Sequence, residues 1–482
     1  MNDFTKLDTD FTKLIDLASE RLGAVVLSAT DDFFAPKENL LKASEPLWLP
    51  DKYVDTGKWM DGWETRRHRA PDHDWCVIRL GAPGIVRGIV VDTAHFKGNF
   101  PEQCSLEARD DARDDASDDD ECWTQILAPS DLIGDSRNLF LIRDSNRYTH
   151  LRFHIYPDGG VARLRVYGES LPAVLGEFID LAAALNGGRV IEASDMFFGS
   201  RHNLIFPGRS TGMYDGWETR RRRGPGHDWA MIQLAAEGQI RRVEIHTLHF
   251  KGNFPESCSL ETEDGRMILP RTKLSAHANH VCEAELSPET ASRVRFRIYP
   301  DGGVSRLRIF GNPTERGRAE HRLRLINALT PAAARRRFFE CCGSLGWAEA
   351  LTSARPFASD GATIESASRI WASIEREDWL EAFAAHPRIG ERNLDRRAAA
   401  EQSGAQSASA ATLDELARLN REYESKFGWI FIVCAAGKSA DQMHQLLCQR
   451  IANDPTTEIA IAAREQLAIT LLRIGKIGAK PV

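Results

Sequence analysis

The sequence predicts a multidomain protein: two tandem all-β domains of jelly-roll or β-sandwich type, followed by an all-α domain. Three observations carry that expectation. The first is an internal duplication. Asp61–Leu80 reads DGWETRRHRAPDHDWCVIRL, Asp215–Leu234 reads DGWETRRRRGPGHDWAMIQL, and 14 of the 20 positions are identical. At the same separation of 154 positions, TAHFKGNFPE (Thr93–Glu102) returns as TLHFKGNFPE (Thr247–Glu256). A third block, RFHIYPDGGVARLRVYG (Arg152–Gly168), returns as RFRIYPDGGVSRLRIFG (Arg295–Gly311). The second observation is texture: short runs such as CVIRL, GIVVDTAHF, LRFHIY and LRVYG are punctuated by APG, GNFP and PDGG turns, as strands of a sandwich are. The third is a change after Gly311, where helical spacing takes over. Thr412 with Glu415 reads as a capping box, and Asp454 before Pro455 reads as a cap ahead of a first-turn proline.

Taken in order, residues 1–22 form a short lead-in and 23–170 the first repeat. LPAVLGEFIDLAAAL has helical spacing, so 171–186 is expected as a helix bridging the two sandwiches. The second repeat occupies 187–312, NPTERGRAE supplies a linker at 313–320, and 321–482 is the all-α domain. Between Asn39 and Asp61 the first copy carries ten residues more than the second has between Asn203 and Asp215. That excess includes Pro46, Trp48, Pro50 and Trp59 and reads as a larger surface loop. The acidic run Ala108–Glu121 reads as a solvated loop. FGWIFIVCAAG (Phe427–Gly437) is apolar throughout, and periodicity does not decide between a buried strand and a helix segment.

Composition narrows the function classes. A chain of 482 residues exceeds one core, and 42% hydrophobic with 27% charged residues is ordinary for a globular protein. A net charge of −7 leaves no electrostatic footprint for nucleic acid. No stretch approaches the roughly 20 apolar residues of a membrane span, and the amino terminus has no signal-peptide pattern. Nine cysteines without a CxxC pair fit neither a disulfide framework nor a zinc module. A reduced cytoplasmic protein is expected, with homo-oligomerisation left open.

The repeated blocks are rich in groups that bind anions and amides. In an extended segment Glu64 and Arg66 share one face, and His95 with Lys97, or His249 with Lys251, point the same way. An arginine fork suits a carboxylate, which makes Arg66, Arg67, Arg220 and Arg221 clamp candidates; a nearby histidine moves protons. Against this, Trp63, Trp75, Phe96 and Phe100 and their copies read first as core packing. His73 and His227 brace a loop as readily as they catalyse. No spacing typical of a catalytic metal appears, although His73, His95 and an acidic residue could converge in space.

DGWETRRHRAPDHDW, HFKGNFPE and YPDGG, present in both copies, resemble the allantoicase family over residues 23–312. The resemblance implies a duplicated jelly roll that hydrolyses allantoate to ureidoglycolate and urea. His95 and His249 are then the catalytic candidates, with Lys97 and Lys251 beside the arginines for substrate. It leaves open which copy works, and a divalent metal such as manganese stays open for this half. The rival from another class is a tandem ligand-binding module with a helical interaction domain.

The tail carries a second signature. HPRIGER (His386–Arg392), Glu401-Gln402, FGWIFIVCAAGKSA (Phe427–Ala440) and Arg473 resemble the 2-oxo-4-hydroxy-4-carboxy-5-ureidoimidazoline (OHCU) decarboxylase family over residues 321–482. The resemblance implies decarboxylation to (S)-allantoin without a cofactor. His386 is its central catalytic group and Glu401 the acidic partner, while Arg473, Gln402, Arg388 and Ile430 contact the substrate. One departure is visible: the family's Ser-x-x-Glu-Gln has Ala398 at the serine position, which removes a hydroxyl and leaves a chain with only one active half as an alternative. A bifunctional enzyme acting on small ureides, with neither a nucleic-acid nor a membrane partner, is the resulting expectation.

Overall fold

The computed structural model describes residues 10–67, 72–111, 123–386 and 410–479, the side chains of 410–414 aside. The chain divides into two compact units, Met1–His321 and Arg322–Val482.

The first unit holds two β-sandwiches, each organised by a single 19-residue strand. The first half of Asp74–Asp92 pairs with Val25–Ala29 on one side and Arg147–Tyr156 on the other. Its second half pairs with Arg163–Ser170 and Arg137–Leu141. One strand thus belongs to both layers, and it crosses between them at Gly81–Gly84. There the backbones approach so closely that a Cβ on Gly84 would lie 2.3 Å from the Glu169 carbonyl oxygen. Asp228–His246 repeats the arrangement, with Arg189–Ala193 and Thr290–Tyr299 on its first half and Arg306–Pro313 and Asn279–Cys282 on its second. Alternate residues face inward: Leu151, Phe153 and Ile155, like Val294, Phe296 and Ile298, are fully buried around Trp63 and Trp217. Trp63, Trp217, Phe96 and Phe250 are therefore core, as the packing reading expected, whereas Phe100 and Phe254 are half-buried against it and Trp75 and Trp229 are half-buried outside it.

The expected bridging helix is absent. Pro172 and Gly176 break its first turns, and Ile179–Asp180 is instead an edge strand on Phe310–Gly311. It repeats Ile15–Asp16, which pairs with Tyr167–Gly168, so the lead-in is a working part of the first sandwich. LIDLA at Leu14 and FIDLA at Phe178 are the shared signal. In both, the aspartate turns back on the chain: Asp16 Oδ1 accepts from the N–H groups of Ala18 and Val166 at 3.1 and 2.9 Å, and Asp180 Oδ1 from Ala182 and Ile309 at the same distances. Burial pushes both carboxyls up from their ordinary value. The acidic run is described only at its ends; Arg109 closes a strand and Asp110 pairs with buried Arg147, whereas 112–122 lie outside the described residues.

Arg21 ties the two sandwiches together. In the first, buried Asp61 takes Arg163 at 2.7 Å and Lys42 at 3.3 Å. In the second, Asp215 takes Arg306 at 3.0 Å, but the position matching Lys42 is Phe206. The missing cation comes from the other sandwich: Arg21 bonds Asp215, donates to Asn203 Oδ1 at 2.9 Å and lies 4.6 Å over the Phe206 ring.

The second unit is helical. Among the described residues the chain forms eight α-helices from Glu315–Ala328 to Pro455–Gly475. Arg306–Pro313 and Glu315–Ala328 occupy the stretch expected as a linker. Asp454 caps its helix as expected, accepting from Thr456 and Thr457 N–H at 3.0 Å. Thr412 lies inside the helix Ala410–Phe427 and not ahead of it; a capping box among the described residues is Ser439 with Gln442. The apolar stretch after Phe427 is neither strand nor helix. Trp429, Phe431, Ile432 and Val433 are buried, and side chains satisfy its backbone: Arg450 donates to Ile432 O at 2.7 Å, and Glu465 accepts from Cys434 N–H at 2.7 Å.

Arg21→Ala is expected to lower the stability of the first unit by about 2 kcal/mol, since it strips a charge-assisted bond from a buried carboxylate. Lys42→Ala, whose side chain is 39% exposed, costs about 0.5 kcal/mol. The shift of the first unfolding transition of the intact chain in urea distinguishes the two.

Candidate active sites

The three duplicated blocks converge in space. Trp63–Glu64 pairs with Gly160–Val161 from the PDGG block, and Glu64 also exchanges backbone bonds with Ala35. Asn99, from HFKGNFP, accepts Gly160 N–H on its carbonyl at 2.7 Å and donates its side-chain amide to Glu64 Oε1 at 2.7 Å. Gly160 admits no side chain there, because a Cβ would stand 2.0 Å from the Phe96 ring. The carboxyl is therefore fixed by three backbone segments. Burial pushes Glu64 up from the ordinary carboxylate value, against a smaller opposing pull from Asn99.

HFKGNFP is a turn and not a strand, so alternation does not decide where its side chains point. His95 sits at φ 71°, in the left-handed region that costs a residue with a Cβ about 1 kcal/mol. The Asp135 carboxylate holds the backbone there, accepting His95 N–H at 2.8 Å. His95 Nε2 faces the Pro46 carbonyl at 3.4 Å. A carbonyl only accepts, so Nε2 carries the hydrogen and Nδ1 the lone pair of the neutral ring.

The ten extra residues of the first copy form the roof. Trp48 stacks on His95 at 5.6 Å, and Lys58 lies 4.3 Å over Trp48. Tyr53–Val54 and Gly57–Lys58 make a small hairpin, and Asp61 Oδ2 anchors the loop by accepting Leu47 N–H at 3.0 Å. Roof and floor enclose a cleft of about 670 Å³ walled by Trp48, Lys58, Glu64, His95, Lys97 and Asn99 among others, a size that suits a small ligand.

Of the residues singled out from sequence, the structure brings His95 and Lys97 into this cleft and leaves the arginines out. Asp31 accepts from Arg66 N–H and Nε at 2.6 and 2.9 Å, and Asp195 accepts likewise from Arg220 at 2.7 and 3.1 Å. Each arginine braces a loop and lies over a phenylalanine ring. The strand that would have aligned Glu64 with Arg66 is only two residues long. Arg67 and Arg221 are exposed, and Arg67 is not among the cleft walls. Glu64, Asn99 and Lys58 escaped notice as a set because they come from separate blocks; the reappearance of Glu and Asn in both copies was the available signal.

His73 does not join His95. It bonds His154 Nδ1 at 3.0 Å and stacks on Tyr156, while His154 Nε2 meets Glu107 at 2.8 Å. Burial lowers the pKa of His154. In the second copy Arg297 replaces His154 and pairs with Glu261. Among the described residues no group of three or more His, Cys, Asp or Glu is placed to hold a metal. Lys58 and Lys97 bring positive charge to the cleft that Glu64, His95 and Asp135 also line.

In the helical unit His386 ends the turn after helix Arg376–Ala384, its N–H on Phe383 O at 3.2 Å, and is half-buried. Arg473 lies in Pro455–Gly475 and donates to Cys341 O at 3.3 Å, and Ile430 is half-buried in the irregular apolar stretch. Arg388, Ala398, Glu401 and Gln402 lie outside the described residues.

Comparison with known proteins agrees with both halves. The allantoicase repeat model matches residues 15–171 and 179–314, and the OHCU decarboxylase model matches 327–475. The allantoicase of Dictyostelium discoideum is 48% identical over 317 residues, which span 61% of this chain and 86% of that protein. A crystal structure of allantoicase from Saccharomyces cerevisiae is 36% identical with a TM-score of 0.57, covering 64% of this chain and 97% of that one. A crystal structure of OHCU decarboxylase in the presence of (S)-allantoin is 42% identical over 29% of this chain and 96% of its own, with a TM-score of 0.27. Two allantoicase repeats joined to an OHCU decarboxylase domain make the chain a bifunctional enzyme of purine catabolism, and it belongs to the allantoicase family.

Proposed function

We propose that the roofed cleft of the first repeat is where allantoate is hydrolysed to ureidoglycolate and urea. The observation that carries this reading is the fixed pair of Glu64, a carboxyl whose pKa burial raises, and His95, a histidine with Nε2 turned to the Pro46 carbonyl, in one cleft with two lysines. Lys58 and Lys97 take the substrate carboxylate, and the Trp48 face receives a planar ureido group. His95 Nδ1 removes the N–H proton of one ureido group; its electron pair forms a C=N bond as the C–N bond to the other ureido group breaks. Glu64, whose protonated form burial favours, gives the departing nitrogen the proton that completes urea. Water then adds across C=N, with Glu64 now the base and protonated His95 the acid, and both groups return to their starting state.

The decarboxylase half acts through His386, which handles the hydroxyl proton, with Glu401 orienting it and Arg473 holding the anionic side. The imidazolone system absorbs the electron pair left by carbon dioxide, so no cofactor is required. Neither half needs a metal in this reading, and eight free cysteines among the described residues support a reducing, cytoplasmic setting. Among the described residues no helix is long and apolar enough to cross a membrane.

Glu64→Gln is expected to lower urea release from allantoate by a factor of ~10² or more. The protonated acid is lost as pH rises through the raised Glu64 pKa, so activity falls on the alkaline side. Asn99→Ala removes the one bond that opposes the shift, and should move that limb to higher pH in a pH–rate profile. Chelator treatment should leave urea release unchanged; loss restored by manganese would overturn the metal-free reading. His386→Ala should reduce imidazoline decay to the uncatalysed rate while urea release persists. Equal decay in both forms would mean the tail is silent.

A further inference from the structure

The second repeat keeps the glutamate, asparagine, histidine and lysine of the first floor. Trp217–Glu218 pairs with Gly303–Val304, and Glu218 exchanges backbone bonds with Gly199. Asn253 donates to Glu218 Oε1, and its carbonyl accepts Gly303 N–H at 2.8 Å. His249 stands at φ 72°, with Nε2 on the Ser210 carbonyl at 2.9 Å, so it has the same tautomer as His95. A left-handed histidine held twice in the same frame is not a packing accident, because glycine would adopt that backbone without strain.

Two things differ, and both bear on what the floor can do. In the first repeat Asp135 accepts His95 N–H and also stands 3.8 Å from Lys97 Nζ. Its counterpart His277 performs only the first task, accepting His249 N–H on Nδ1 at 2.8 Å. One negative charge is thereby removed from beside Lys251, which shifts the floor toward binding an anion. The second difference is the roof. Where Met60 is 8% exposed its counterpart Tyr214 is 76% exposed, and Phe198 is 61% exposed against 37% for Phe34. Nothing there corresponds to Trp48 or Lys58, so the second floor has neither the aromatic roof nor a second lysine to grip a substrate.

Resting on the reading of the first repeat as the hydrolytic site, we infer that Glu218, Asn253, His249 and Lys251 form a second, open site that binds small ureido carboxylates without cleaving them. The ammonium of Lys251 takes the carboxylate, Glu218 and Asn253 face the amide groups, and Phe198, whose N–H bonds the Glu218 carbonyl, offers an aromatic face to a planar ureido arm.

The test titrates allantoate into the intact chain carrying Glu64→Gln, so that the ligand survives, and follows the heat of binding. Lys251→Glu added to that background should remove one class of sites, and Lys251→Arg should restore it. Lys251 is exposed, so neither change threatens the fold. A titration indifferent to Lys251→Glu overturns the inference and leaves the first-repeat reading intact. Urea release answers the other question separately: if Glu218→Gln abolishes it and Glu64→Gln does not, the second repeat is the hydrolytic one, and both readings fall.

Discussion

The chemistry of the first unit hangs on a pairing only two residues long. Trp63–Glu64 lies against Gly160–Val161, and that contact, with Ala35 on the other side, brings a carboxyl from one block to the edge of a turn built from two others. Trp63 is buried, so the strand is nailed to the core on one side and its neighbour's carboxyl is presented on the other. Gly160 must be a glycine, because the Phe96 ring fills the space of its side chain. Phe96 in turn fixes the turn that carries His95 and Asn99. A displacement at any of these contacts would move the carboxyl, its hydrogen-bond partner and the histidine together.

The same dependence explains what could be read from the sequence and what could not. The duplication located the blocks, because each is long and similar in both copies. Strand texture and turn residues gave the sandwiches, and Asp454 before Pro455 gave a helix start. The Leu171–Leu185 stretch misled, because leucine and alanine favour a helix locally while tertiary pairing of Ile179–Asp180 decided otherwise. The arginines misled for another reason. Adjacent guanidinium groups look like a clamp, yet Asp31 and Asp195, more than twenty positions away, already claim one of each pair. Left-handed backbone at His95 has no local sequence signal, since histidine is not a residue that announces it. Trp48 and Lys58 looked like surface loop because a roof is a loop until the floor beneath it is known.

The two halves solve a common problem with different means. Each handles a small, polar, anionic ureide, and in each the proposed proton carrier is a histidine. In the sandwiches the histidine is held by backbone geometry, on turns fixed by glycine, asparagine and an acceptor side chain, Asp135 in the first and His277 in the second. In the helical unit His386 sits at a helix end, and the apolar stretch containing Ile430 lacks secondary structure because side chains such as Arg450 and Glu465 satisfy its backbone. Irregular backbone beside buried apolar side chains is a way to bring many surfaces toward a compact ligand.

Arg21 has a consequence for how this duplication can be taken apart. Its guanidinium belongs by chain to the first sandwich and by charge to the second, where Phe206 has displaced the local cation. The matching residue of the second copy is Leu185, so the loan is not returned. A gene fragment encoding the second sandwich alone would carry Asp215 with one cation fewer and bare the Phe206 ring to water. One encoding the first alone would lose nothing equivalent from its own carboxylate. The two copies began as interchangeable modules, and this single side chain has made one of them a dependent.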